Sequence, residues 1–271
     1  MFFSVLLSVY KNENPNYFDE AMRSIYDNQS LKPTEIVLVL DGPLTNNLYY
    51  SINNWEKKLS HILKVVSLPN NVGLGKALNI GIEYCTYDWI FRMDTDDISL
   101  PCRFEKQVNF ILENPTISLL STSIEEFDES MTLSLGCRQL PDSLYDIKKL
   151  IKSRSPFNHV SVAFKKNAVI AVGGYQHHLY MEDYNLWIRM ISSGCNAANI
   201  NETLVNVRSG TSMIKRRKGI IYIKSEFKLA KLKIKYNIDN QFSAYSIFII
   251  RSTARLLPSY LLAKIYSQLR V

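Results

Sequence analysis

The chain has 271 residues, of which 46% are apolar and 21% charged, the balance of an ordinary globular protein with one large α/β domain and room for an appendage. Its four cysteines, Cys85, Cys102, Cys137 and Cys195, lie far apart with no CxxC pair, which excludes a disulfide scaffold and a thiolate metal site and predicts reduced thiols in a cytoplasmic protein. The net charge of +7 is lopsided: residues 214–271 carry 13 Lys/Arg against Glu226 and Asp239, a balance of +11, which leaves −4 for residues 1–213.

The opening run Ser4–Val9 has no basic leader and no cleavage site before Lys11-Asn12-Glu13, so it reads as a buried first strand rather than a secretion signal. Tyr17–Asn28 follows as an amphipathic helix, with Phe18, Met22, Ile25 and Tyr26 at helical spacing. Glu35–Leu40 is a β-branched strand stopped by the turn signal Asp41-Gly42-Pro43. A helix over Leu48–Ser60, a strand over Lys64–Leu68, a helix over Gly73–Tyr84 and a strand over Asp88–Met93 complete the alternation. This pattern predicts a mainly parallel, Rossmann-like sheet flanked by helices. Ligands of such sheets bind beyond the carboxyl ends of the strands, which draws Tyr10, Asp41 and Asp94–Asp97 to one edge.

Further along, a helix is expected from Pro101 to Glu113, strands at Ile117–Ser123 and Val160–Phe164, and an amphipathic helix at Glu182–Ser193. From Ile214 the pattern becomes basic amphipathic helices. No apolar stretch reaches the ~18 residues of a spanning helix; Phe242–Leu262 is cut by Arg251, Arg255 and Pro258.

Asp94-Thr95-Asp96-Asp97 places three carboxylates directly after an apolar strand. Such crowding raises at least one pKa unless a cation relieves it. Mg²⁺ and Mn²⁺ prefer carboxylate and phosphate oxygens, so the cluster is a seat for a metal–diphosphate, or else a solvated loop with Asp96 or Asp97 capping the next helix. Arg92 just before it is a partner for phosphate or carboxylate. Gly73-Leu74-Gly75-Lys76 is followed by Ala77, so it is no phosphate loop of the Gly-Lys-Ser/Thr kind; Lys76 is left between an anion contact and plain solvation. Glu182 and Asp183 open a helix, as caps favoured by its dipole or as a base projecting into a cleft. His159 reads as structural or acceptor-binding, and Trp187 as core or a sugar-stacking face. The adjacent His177 and His178 are expected in a mobile loop, on opposite sides of an extended chain.

Five ordered stretches together resemble the family 2 glycosyltransferases of bacterial surface-polysaccharide synthesis. They are Ser4–Asn12, Glu35–Gly42, Asn70–Asn79, Arg92–Asp97, and Gly173-Gly174-Tyr175 with Met181–Trp187. The resemblance implies a GT-A fold for residues 1–210, with 211–271 as a basic helical segment. It further implies an inverting transfer of a hexose, Glc or Gal and β-linked, from a UDP-sugar to a lipid-linked glycan in O-antigen, capsule or exopolysaccharide assembly. Asp94 and Asp96 would hold Mn²⁺ or Mg²⁺ and the diphosphate. Asp41 would bond the base; Ser8, Tyr10 and Asn12 would line the base and ribose pocket; Thr95 lies within the same donor-binding motif; Asp183 would be the catalytic base, Glu182 its neighbour. No QxxRW motif follows Trp187, which implies single addition.

The basic helices suit an anionic membrane, and hence a peripheral place on the inner face, or a solvated face packed on the catalytic domain. Arg216 and Arg217 are candidates to close over the diphosphate. The acidic remainder and the lack of a binding module argue against nucleic acid as partner. A nucleotidyltransferase making nucleotide-sugars is the rival enzyme reading.

Overall fold

The computed structural model describes residues 1–209 and 219–255. Strand β1 (Ser4–Val9) lies between β2 (Glu35–Leu40) and β4 (Trp89–Arg92), and β3 (Leu63–Ser67) flanks β2; these four are parallel. Helices α1 (Pro15–Ile25), α2 (Asn46–Leu59) and α3 (Leu74–Tyr84) make the crossovers. Strands buried on both faces need apolar side chains on both, and β1 and β2 have them. The two-residue period sends Phe3, Val5 and Leu7 to a core with Phe18, Met22, Leu48, Ile52 and Phe104. It sends Leu6, Val37 and Val39 to a second core with Ala77, Leu78 and Ile82 of α3. A Cβ on Gly81 would stand 2.4 Å from Leu6 Cδ1, so only glycine lets α3 approach β1 this closely.

Beyond β4 the sheet changes direction. It continues through β8 (Ala163–Lys165), antiparallel to both β4 and β6 (Leu119–Phe127), then β9 (Ala197–Arg208), parallel to β6, and β5 (Ile98–Ser99), antiparallel to β9. Strand β7 (Ser134–Arg138) pairs with β6 off this path. Among the described residues four strand pairs are parallel and four antiparallel, so the parallel half expected from the alternation carries a mixed extension. The expected strand at Val160–Phe164 splits into a single 3₁₀ turn, His159–Ser161, and β8. Helices α4 (Arg103–Glu113), α5 (Leu144–Leu150), α6 (Lys166–Ala171) and α7 (Glu182–Ser192) cover the sheet.

The basic segment forms α8 (Gly219–Lys235) and α9 (Gln241–Arg255). They pack on the domain: Tyr222 and Leu229 belong to the same core as Tyr184, Trp187 and Ile188 of α7. Residues 215–218, including Arg216 and Arg217, lie outside the described residues, as does the expected boundary at 210/211. Among the described residues no helix is long and apolar enough to cross a membrane.

Candidate active site

Three strand ends meet at one edge. Val9 pairs with Leu40, and Leu6 with Arg92, while Asp41 N–H donates to Val9 O at 2.8 Å and Met93 N–H to Leu6 O at 3.1 Å. Tyr10, Asp41 and Asp94 therefore leave the sheet side by side, as the parallel topology requires. Ser8 is half-buried on β1; Tyr10 and Asn12 are exposed on the loop after it.

Asp41 is buried, and its carboxylate accepts Val72 N–H at 2.7 Å and Gly73 N–H at 3.1 Å. A Cβ on Gly42 would meet Asn71 N at 2.6 Å, and Gly42 has φ +87°; only glycine permits this approach. What Asp41 visibly does is fasten β2 to the loop that enters α3. Lys76, on that helix's first turn, is exposed. Gly75 of the same turn lies against Tyr175 and Glu182: a Cβ there would be 3.4 Å from the side chains of both.

Arg92 is buried and grips Asp94 with both terminal nitrogens, Nη1 to Oδ2 at 2.6 Å and Nη2 to Oδ1. Of the carboxylates that follow, Asp96 is pushed up to about 7 by burial and then by Asp94 and Glu13. Asp97 is driven well up by complete burial and its two acidic neighbours, although Arg208 N–H donates to it at 2.8 Å. Oxygens of Asp94, Asp96 and Asp97 all lie within 4.8 Å of one another. Oxygen donors this crowded, with protonation already favoured on Asp96, fit a hard divalent cation. Asp94 and Asp96 are partly exposed and Asp97 is buried, so the first two are the ones open to a ligand from solvent.

Three residues of this site escaped the sequence reading. Glu13 accepts Thr95 Oγ1–H at 2.6 Å; Thr95 is buried, and this bond ties the loop of the acidic cluster to the loop after β1. Arg208, closing β9, donates from Nε to Asp96 O at 3.1 Å and from Nη2 to Glu20 at 2.7 Å, with its guanidinium 3.7 Å from the Tyr17 ring centre. Tyr175 bonds His159 Nε2 through its hydroxyl at 2.8 Å. Burial, and then the charge of Arg92, hold the His159 imidazole well below its usual range, so it is neutral. The Tyr175 hydroxyl is pushed up chiefly by burial, with both Asp183 and Asp94 adding to the rise. Asp94 of the acidic cluster and Asp183 of α7 thus both bear on this phenol.

Glu182 and Asp183 occupy the first turn of α7, where the helix dipole favours carboxylates. Burial, then Asp183, raises the Glu182 carboxyl. The loop ahead of them is tied down from behind. Asn79 forms a reciprocal pair with Tyr175, donating to its carbonyl at 2.8 Å and accepting its N–H at 2.7 Å. Arg189 donates to the carbonyls of Val172 and Gly174.

Two expectations need correction. His178 is not in a mobile loop: it is buried, its Nε2 meets Ser225 O at 2.9 Å and its Nδ1 meets Asn185 Nδ2 at 3.2 Å. His177 beside it is exposed. Trp187 offers no sugar-stacking face; it is 0% exposed and packs edge-on against Phe157 at 5.6 Å, on a helix buried on every face from Tyr184 to Ile191.

Comparison with known proteins agrees with this geometry. AmsE of Erwinia amylovora, an amylovoran biosynthesis glycosyltransferase, is 42% identical over 98% of each chain. An Escherichia coli UDP-Gal:alpha-D-GlcNAc-diphosphoundecaprenol beta-1,3-galactosyltransferase is 38% identical over 98% of this chain and 95% of its own. Among solved structures, the mannosyltransferase PcManGT of Pyrobaculum calidifontis, in complex with GDP-Man and Mn²⁺, superposes with TM-score 0.63 at 15% identity, covering 98% of this chain and 79% of that one; the shared architecture is the GT-A fold. The family model "Glycosyl transferase family 2" matches residues 4–179, and the chain belongs to that family.

Proposed function

We propose that this glycosyltransferase is an inverting, metal-dependent hexosyltransferase that moves Glc or Gal from a UDP-sugar to a lipid-linked glycan, working peripherally at the inner face of the plasma membrane. The observation that carries it is the strand-end acidic cluster, with the oxygens of Asp94, Asp96 and Asp97 within 4.8 Å of one another, in a chain that also sets a carboxylate pair on the first turn of α7. The names of the E. coli and Erwinia relatives, a UDP-Gal-dependent enzyme with a diphosphoundecaprenol acceptor and a polysaccharide enzyme, support the donor, acceptor and pathway class. The manganese in the Pyrobaculum complex supports the metal.

In this reading Asp183 takes the proton of the acceptor hydroxyl as its oxygen attacks the anomeric carbon, and the nucleoside diphosphate departs. A bound Mn²⁺ or Mg²⁺ would supply Lewis-acid stabilisation to the departing diphosphate, held by Asp94 and Asp96. Arg92 fixes the Asp94 carboxylate, Glu13 and Arg208 fix the loop, and the neutral His159–Tyr175 pair faces the acceptor. Tyr10, Asn12 and Ser8 flank the nucleoside; Asp41, whose oxygens each keep a lone pair, bonds the base.

The test is a panel of UDP-, GDP- and dTDP-sugars with and without Mn²⁺, reading release of nucleoside diphosphate. A UDP-hexose consumed only with metal is expected. Pyrophosphate released from a nucleoside triphosphate would establish the nucleotidyltransferase instead, and salt-steep DNA binding without turnover would overturn the enzyme reading.

A further inference from the structure

The residues of α8 divide into two opposed faces. Tyr222, Leu229 and Lys233 turn inward, whereas Ile220, Lys224, Phe227 and Lys231 fall on the other side of the 3.6-residue period and are exposed. That outer face and Phe248 of α9 line a groove of about 480 Å³, with Lys228 on its rim. Phe227 and Phe248 form its floor at 5.4 Å, and Lys231 Nζ stands 4.5 Å from the Phe227 ring. Ile220, in its lining, is 70% exposed.

The charge on this face has one sign for a structural reason. The two acidic residues of 219–255, Glu226 and Asp239, are both buried. Glu226 is neutralised by Arg251 at 2.8 Å and Arg255 at 3.4 Å, contacts that also clamp α9 onto α8. Water therefore meets lysines, apolar side chains and the Tyr245 ring here, and no exposed carboxylate of 219–255. Apolar residues ringed by cations on a helix lying flat match a phospholipid surface of opposite charge.

The face is also anchored to the site. His178 bonds Ser225 O, and Tyr180 stacks on Tyr222 at 5.7 Å and 18°; both belong to the loop leading into Glu182 and Asp183. We infer that the α8–α9 groove, with Lys224, Lys228 and Lys231, is a docking surface for an anionic phospholipid bilayer, bolted to the acceptor side of the active site. It rests on the lipid-linked acceptor reading for its purpose, yet its test does not.

The experiment is flotation of the full chain with vesicles of phosphatidylcholine alone or mixed with phosphatidylglycerol. Wild type should bind only the anionic vesicles and release as salt rises. The triple variant Lys224→Glu/Lys228→Glu/Lys231→Glu should lose at least about 100-fold in partition, and Ile220→Ser about tenfold, with thermal stability and turnover of a detergent-soluble acceptor unchanged. Equal binding to neutral vesicles, or an unaltered partition of the triple variant, would overturn the surface. So would a wild-type dimer that these variants dissociate, since a second copy would then occupy the groove. Vesicle binding that persists in a chain consuming no nucleotide sugar supports the surface while sinking the enzymatic reading.

Discussion

The two sides of the candidate site are stabilised by different chemistry. On the side proposed for the donor, charge is crowded and answered by charge or by backbone amides: Arg92 holds Asp94, Val72 and Gly73 amides hold Asp41, and Arg208 N–H meets Asp97. On the side proposed for the acceptor the ties are neutral or fall on carbonyls, as in Asn79 with Tyr175, Arg189 with Val172 and Gly174, and His178 with Ser225. Charge-assisted bonds among fixed groups hold a preorganised electrostatic seat, and neutral ties behind a loop set its position without altering its charge. The difference teaches that donor-side mutations should act through metal and diphosphate, and acceptor-side ones through positioning.

The sharpest way to break that comparison is to remove one carboxylate from each side. Asp96→Ala or Asp94→Ala should cost about 10³-fold or more in metal-supported kcat, with Mn²⁺ titration showing no saturation. Asp183→Asn should lower kcat by about 10³-fold while leaving the donor KM and Mn²⁺ affinity unchanged. A donor KM that moved with Asp183→Asn would show that the two sides are not separable. Glu182→Gln should cost far less, since Glu182 lies against Gly75.

Arg208→Ala should come next, weakening Mn²⁺ binding in the presence of UDP by about 10- to 100-fold, the usual effect of removing an outer partner of a metal site. Lysine cannot reproduce the span from Asp96 O to Glu20, so Arg208→Lys should restore little. Calorimetric titration decides it: a lowered melting temperature with unchanged Mn²⁺ affinity would reduce Arg208 to a purely structural tie.

The reach of sequence reasoning follows the same division. Strands β1 and β2 were legible because burial on both faces writes continuous apolar runs, and the acidic cluster because it follows such a run. Strand β9 was not: Asn199, Asn201, Glu202 and Asn206 break its apolar pattern, and its pairing with β6 shifts register twice near Ser123. Glu13 and Arg208 escaped because their partners lie 82 and 111 residues away, distances that no local spacing encodes. Periodicity alone marks Trp187 as apolar; only the packing of Phe157 and His159 around it decides between core and cleft.

On the acceptor side, Asn79→Ala sharpens the comparison more gently. It leaves both the N–H and the carbonyl of Tyr175 without their partner, which should cost about 1–3 kcal/mol of stability. Acceptor KM should rise several-fold with Mn²⁺ affinity intact. A change in metal binding would mean that the loop at Tyr175 also sets the donor side.

The smallest effect on turnover concerns Lys233, which supports α7 from beneath. It is buried, donates to Lys152 O at 2.7 Å and lies 5.0 Å from the Tyr184 ring centre. Burial, then the charge of Arg251, lowers its ammonium from 10.5 to about 7. Between those values the unfolded chain binds the proton and the folded one does not, so this group makes stability rise with pH, by at most ~1.4 kcal/mol per unit. Its destabilising contribution is fully present below the folded value and fades as pH climbs toward the unfolded one. Lys233→Met keeps the apolar stem and removes the titration. Melts at about pH 6 and about pH 9 should show the variant gaining on wild type at the lower pH and losing that advantage at the higher. Parallel pH profiles would mean that Lys233 stays charged throughout, its ammonium paired with the nearby Glu226 and Asp239, and that the acceptor side too is held by charge.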